Sequence, residues 1–201
     1  MKLLILLNML LAYSTNMQHT TISFREDSFY LVCRGTQQKK GFIADKFNIK
    51  DKNSTHIGLG IYENGILTVF NVSNISGEKS GLIQEKLDDF IQISDVFYWS
   101  VWECKSSKNE LLKLKKNLQL YASKKITFDT DFESNNGKLY CSEFCAEILK
   151  KLNPNKFQFR LSKKPLDYLY CIALRRTVLY YYPVDFFQSN KNFKKIHEAY
   201  Q

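Results

Sequence analysis

Residues 56–72 read His56-Ile-Gly-Leu-Gly-Ile-Tyr-Glu-Asn-Gly-Ile-Leu-Thr-Val-Phe-Asn-Val72. Apolar residues alternate on both sides of Asn64-Gly65, the dipeptide best suited to a two-residue type I′ turn, so the stretch predicts a β-hairpin. With that turn, cross-strand partners sum to 129. This register puts His56 on the face of Asn71 and Ser73, while Gly58 and Gly60 leave one face of the first strand bare for something packed close.

Outward from the hairpin, strands lead and helices follow. Phe29 to Cys33 predicts a buried strand, Lys39 to Ser54 a long polar loop, and Val96 to Glu103 an aromatic-rich strand. Gly81 to Ile93 reads as an amphipathic helix. Lys108 to Ser123 is a second, with Leu111, Leu114, Leu118 and Tyr121 at helical spacing, and Leu139 to Leu152 a third. Val178 to Tyr182 supplies a last strand. With no repeat and no linker, the expectation is one α+β domain over residues 15–201.

Residues 1–14 are written differently. Lys2 precedes apolar runs from Leu3 to Leu7 and Met9 to Ala12, and Ala12 and Ser14 have the small-residue spacing of a cleavage site. The run is too short to span a bilayer, so 1–14 is expected to be a signal peptide and the protein periplasmic or secreted. The 201 residues suit one domain with its own core. Hydrophobics at 44%, with 8 Gly and 3 Pro, exclude collagenous and low-complexity classes. Twenty-nine Lys and Arg against 20 Asp and Glu give +9, which favours contact with anionic surfaces. Export and the lack of a recognition motif argue against nucleic acid.

Five cysteines, Cys33, Cys104, Cys141, Cys145 and Cys171, are an odd number for an oxidising compartment. Cys33 and Cys104 lie on separate predicted strands and are a candidate pair. No CxxC occurs and His19, His56 and His197 are scattered, so neither a metal nor a cofactor is expected. Cys141 falls at the start of the third helix, where free N–H groups and the helix dipole stabilise a thiolate. Cys145, one turn on, reads as core, and Glu143 as a first-turn acid suited to the dipole. A thiol nucleophile needs a base that titrates in the right range, and His56 is the candidate, with the Asn71 carbonyl on the same face to hold its tautomer.

His56-Ile-Gly58, the return strand Val69-Phe-Asn71-Val72, then Phe128-Asp129-Thr-Asp-Phe132 and Leu139-Tyr-Cys141-Ser-Glu-Phe144 resemble the YaeF/YiiX-type permuted papain-like amidases. These belong to the NlpC-like superclass of cysteine hydrolases, together with the lecithin:retinol acyltransferase branch. The resemblance runs from about Phe24 to Phe187, and Pro183-Val-Asp185 resembles the segment that closes such domains. It implies a circularly permuted papain-like fold, an antiparallel sheet or partial barrel packed against helices, with His56 before Cys141 in the chain. It also implies Cys141 as nucleophile and backbone oxyanion donor, His56 as base and a polar third residue on the partner strand. Relatives carry Glu or His there; this chain has Asn71, which orients an imidazole but offers no countercharge. The implied activity is an exported cysteine amidase or peptidase acting on peptides, cell-wall fragments or lipid-derived amides and esters. An acyltransferase, or a silent binding module on the same fold, is the alternative.

Overall fold

The structure, a computed structural model, describes residues 22–37, 46–74, 80–93, 95–134 and 136–201. The expected signal segment 1–14 and part of the expected loop lie outside the described residues.

Six strands form one antiparallel sheet: β1 (Ser28–Thr36), β2 (His56–Glu63), β3 (Ile66–Asn74), β4 (Ser80–Lys86), β5 (Val96–Lys105) and β8 (Lys194–Tyr200), in the order β4-β3-β2-β1-β5-β8. The helices are α1 (Leu87–Ile91), α2 (Lys108–Ala122), α3 (Cys141–Leu152) and α4 (Tyr168–Leu174), and β6 (Ser162–Pro165) pairs with β7 (Val178–Tyr181) in a separate two-stranded sheet. The protein is thus α+β, with helices on an antiparallel sheet.

Asn64 and Gly65 take positive φ, 51° and 81°, as a type I′ turn demands, and Glu63 faces Ile66 across it. β1 lies in mid-sheet and is buried almost throughout, because both faces are covered. Phe29, Leu31 and Cys33 join Ile57, Leu59, Phe144 and Ile148 beneath α3. Tyr30 and Val32 join Val69, Phe90 and Trp99 on the opposite face, beneath α1.

Two elements differ from expectation. The segment 81–93 is a strand up to Lys86 and a helix only over Leu87–Ile91. Leu82 to Lys86 has helix-compatible spacing, but β3 presents an open edge and pairs with it from Thr68↔Lys86 to Asn74↔Ser80, so tertiary pairing overrides local preference. Val178–Tyr181 is a strand of the small sheet, and the last strand of the main sheet is β8, whose Lys-Lys-Ile-His-Glu-Ala-Tyr carries little apolar signal and lies at the edge along β5. α2 forms where its periodicity places it, entered through a capping box in which Ser107 Oγ accepts from the Glu110 N–H and the Glu110 carboxylate accepts from the Ser107 N–H.

All five cysteines are free thiols. Cys33 and Cys104 are on one face but out of register: Cys104 is opposite Phe29, four residues along β1 from Cys33, roughly 13 Å. That is beyond disulfide reach, so the expected pairing is corrected. No described helix is long and apolar enough to cross a membrane.

Candidate functional site

Two segments hold the start of α3. Asp129, fully buried, accepts the backbone N–H groups of Asp131 and Glu133, folding 129–133 into a tight loop, and a bridge between Phe128 and Leu139 brings the chain back to the helix. Tyr140 is the N-cap without a side-chain capping bond, and Cys141 is the first helical residue. The Tyr182 backbone ties down both sides of that start: its N–H donates to Tyr140 Oη at 2.8 Å, and its carbonyl accepts from Ser142 Oγ at 2.6 Å.

The segment 182–185 also fixes the approach to His56. The Asp185 carboxylate accepts the N–H groups of Ile49, Lys50 and Asp51, and Asn48 Oδ1 accepts from Val184 N–H. Asn48 Nδ2 donates to the carbonyls of Asp51 and Ser54, just ahead of β2. One short stretch therefore pins the helix that carries Cys141 and the loop that delivers His56.

His56 begins β2, opposite Arg34 on β1, and stacks on Phe90 with ring centroids 5.7 Å apart. His56 Nε2 and Asn71 Oδ1 are 2.9 Å apart, and Asn71 Nδ2 donates to Glu85 Oε1 at 2.7 Å. A carboxylate only accepts, which fixes the amide: Nδ2 faces Glu85 and Oδ1 faces the imidazole. Oδ1 in turn only accepts, so the proton on His56 sits on Nε2 and Nδ1 carries the lone pair. Gly58 makes this closeness possible, since a Cβ there would be 2.5 Å from Val69 Cγ1 and 3.1 Å from Asn71 Cβ. Glu85 falls within the helix that local spacing predicts over 81–93; its place on β4, beside β3, makes it the third member of the chain.

Burial and the neighbouring Arg34 charge drive the His56 pKa down to about 3, outweighing the support of Asn71. Arg34 is itself buried. Its Nη1 donates to the Phe90 carbonyl at 2.5 Å, its guanidinium lies 4.3 Å from the Phe90 ring centre, and its Nε has no partner among the described residues. The Cys141 thiol is buried, which pushes its pKa up. The backbone N–H groups of Ile57, Ser142 and Cys141 itself, together with Arg34, work the other way.

His56 and Asn71 are therefore in contact, and Cys141 reaches the backbone of the residue that follows His56. No hydrogen bond joins the Cys141 sulfur to the imidazole. The reason is topological: Cys141 belongs to the core beneath α3, whereas His56 stacks on Phe90 in the core on the opposite face. Cys145 is fully buried in the α3 core.

The fold has a solved counterpart. The metalloprotein YiiX from Escherichia coli superposes with a TM-score of 0.65 at 12% identity, covering 89% of this chain and 100% of that one. The fold is YiiX-like. No protein-family model and no curated protein matches the sequence.

Proposed function

We propose that the chain is a cysteine hydrolase of amide bonds on a circularly permuted papain-like domain, with Cys141 as nucleophile, His56 as base and Asn71 as the residue that orients it. The observation carrying this reading is the chain Glu85–Asn71–His56. Three polar side chains are aligned across neighbouring strands so that one imidazole nitrogen is held protonated and the lone pair of the other is left free, the tautomer a thiol nucleophile requires of its partner. At the helix N-terminus the backbone N–H groups of Ile57, Ser142 and Cys141 oppose, without cancelling, the burial that raises the Cys141 pKa.

In the proposed reaction the Cys141 proton passes to His56 Nδ1 as the sulfur attacks the carbonyl carbon. The oxyanion is received by backbone N–H, that of Cys141 included, and the amine leaves with the proton from Nδ1. Water, deprotonated by Nδ1, then cleaves the thioester and restores the thiol. The first step takes place at the start of β2, where the Ile57 N–H already acts on Cys141 and the Arg34 charge acts on both Cys141 and His56, and it requires the thiol and the imidazole to meet around that strand end. Export, as expected from residues 1–14, makes cell-wall peptides the first substrate class, with lipid-derived esters the next.

YiiX is described as a metalloprotein. Among the described residues of this chain no group of three or more His, Cys, Asp or Glu could hold an ion, so the residues present there do not fit one.

A second reading, a binding module without catalysis, is favoured by one observation: Cys141 and His56 lie on different faces of the sheet without a mutual hydrogen bond. Incubation of wall-peptide fragments and acyl esters with wild type, Cys141→Ala and Asn71→Ala separates the two. The hydrolase reading expects loss of turnover and of a mass-detectable acyl-enzyme in Cys141→Ala, and a fall in kcat of about tenfold or more in Asn71→Ala. Turnover that survives in Cys141→Ala overturns it, and saturable binding without turnover, equal in all three proteins, establishes the binding module.

A further inference from the structure

The segment 160–180 carries a surface that the site does not use. Its helix α4, Tyr-Leu-Tyr-Cys-Ile-Ala-Leu, has no charged residue on any side. The inner side packs inward: Leu166, Tyr170 and Leu174 lie against the main core, and the Tyr170 ring is 5.6 Å from that of Phe47. The outer side is apolar as well, and it faces solvent. Tyr168 is 78%, Leu169 75% and Ile172 59% exposed, and Leu161 and Tyr180 of the same stretch are also exposed. Half of the ten large hydrophobics exposed among the described residues fall within this stretch of twenty-one. A helix apolar all round suits a setting in which both sides leave water, and the fold covers only one of them.

The same stretch carries Arg160, Lys163, Lys164, Arg175 and Arg176 against a single acid, Asp167, whose carboxylate is occupied as the N-cap of α4, accepting from Tyr170 N–H; Arg160, Lys163 and Arg175 are exposed, whereas Lys164 turns inward to the Lys46 carbonyl and the Phe47 ring. Lys163 lies across the small sheet from Tyr180, its Nζ 5.8 Å from the ring centre, so one of these cations flanks an exposed ring directly. An apolar centre within a cationic rim matches the interface of an anionic bilayer, where the side chains enter below the headgroups and the cations meet phosphate. A second copy of the chain is a poor occupant, because pairing through this face would bring two such rims together.

We propose that α4 and its basic rim dock the protein onto anionic lipid membranes, with Tyr168, Leu169 and Ile172 entering the interface and Arg160, Lys163 and Arg175 contacting the headgroups. The proposal stands apart from the hydrolase reading, since Cys141→Ala should bind membranes as wild type does.

The test is co-sedimentation of the full chain with vesicles of phosphatidylglycerol and phosphatidylcholine in equal parts, and with vesicles of phosphatidylcholine alone. We expect binding to the mixed vesicles that weakens with salt. Partitioning should fall about tenfold or more in Leu169→Ser/Ile172→Ser and comparably in Lys163→Glu/Arg175→Glu. All four positions are exposed, and unchanged thermal unfolding of each variant verifies the fold; Leu169→Phe should bind at least as well as wild type. Equal binding to the two vesicle types, or binding unaffected by the Leu169/Ile172 pair, overturns the proposal. So does a dimer in solution that this pair dissociates while vesicle binding is absent, which would assign the face to a second copy.

Discussion

The fold disfavours ionisation of Glu143, and replacing it should stabilise the protein at neutral and alkaline pH. The residue is 3% exposed and its Oε2 has no hydrogen-bond partner among the described residues. Burial, together with the Glu147 and Asp129 carboxylates, pushes its pKa from 4.5 up to about 8. Its place in the first turn of α3 favours the anion by only about 0.3–1 kcal/mol, too little to reverse the effect. In the unfolded chain the carboxyl ionises near 4.5, so between 4.5 and about 8 the folded state keeps a proton that the unfolded state has released. The contribution is therefore fully present below 4.5 and is lost as pH rises towards 8. By pH 7 the loss amounts to roughly 3 kcal/mol. Gln has nearly the same shape and no charge to lose. Urea unfolding of wild type and Glu143→Gln across this pH range should give curves that lie close together at the acid end and diverge upward, the variant ahead by about 4 kcal/mol at pH 8. A gap independent of pH, or a wild type that is the more stable at pH 8, would refute the reasoning.

The remaining predictions concern the neighbouring groups. His56 runs in the opposite sense: the unfolded ring takes up its proton near 6.5 and the folded one only near 3, so stability falls as pH drops through that window, by up to about 5 kcal/mol. His56→Gln should flatten this acid limb of the urea-stability profile. Gly58→Ala should destabilise by about 1–3 kcal/mol in the same assay, because its Cβ would meet Val69 Cγ1 at 2.5 Å, and adding Val69→Ala should recover part of the loss. Asp185→Ala strips three backbone N–H groups of their acceptor and should cost about 2–4 kcal/mol; a smaller loss than that of an exposed control such as Asp89→Ala would show that the 48–51 loop does not depend on it. Among the buried thiols, Cys141 should alkylate first, ahead of Cys104, with Cys33 and Cys145 last, because N–H groups support its thiolate while burial pushes the others higher. Mass spectrometry of iodoacetamide-treated protein in a Cys171→Ser background reads that order.

What the chain determines by itself is what short-range chemistry can encode. Asn64-Gly65 selects its turn because these two residues tolerate positive φ, and the turn sets the register that puts His56 beside Asn71. Leu111, Leu114, Leu118 and Tyr121 mark one face of α2, and all four are buried. The start of α3 at Cys141 was equally visible, since a Gly-containing polar turn leads into a strongly apolar run. Tertiary structure decided the rest. β4 exists because the edge of β3 was free to pair, and no window confined to 81–93 contains that edge. Glu85 becomes part of the chain to His56 through that pairing alone. Alternation shows which residues share a face of a strand, but when both faces are buried it cannot say which one receives a given helix. α3 packed against Ile57 and Leu59, the face turned away from His56, so the thiol and the imidazole met opposite sides of β2 because of helix docking, a long-range choice that no local pattern encodes.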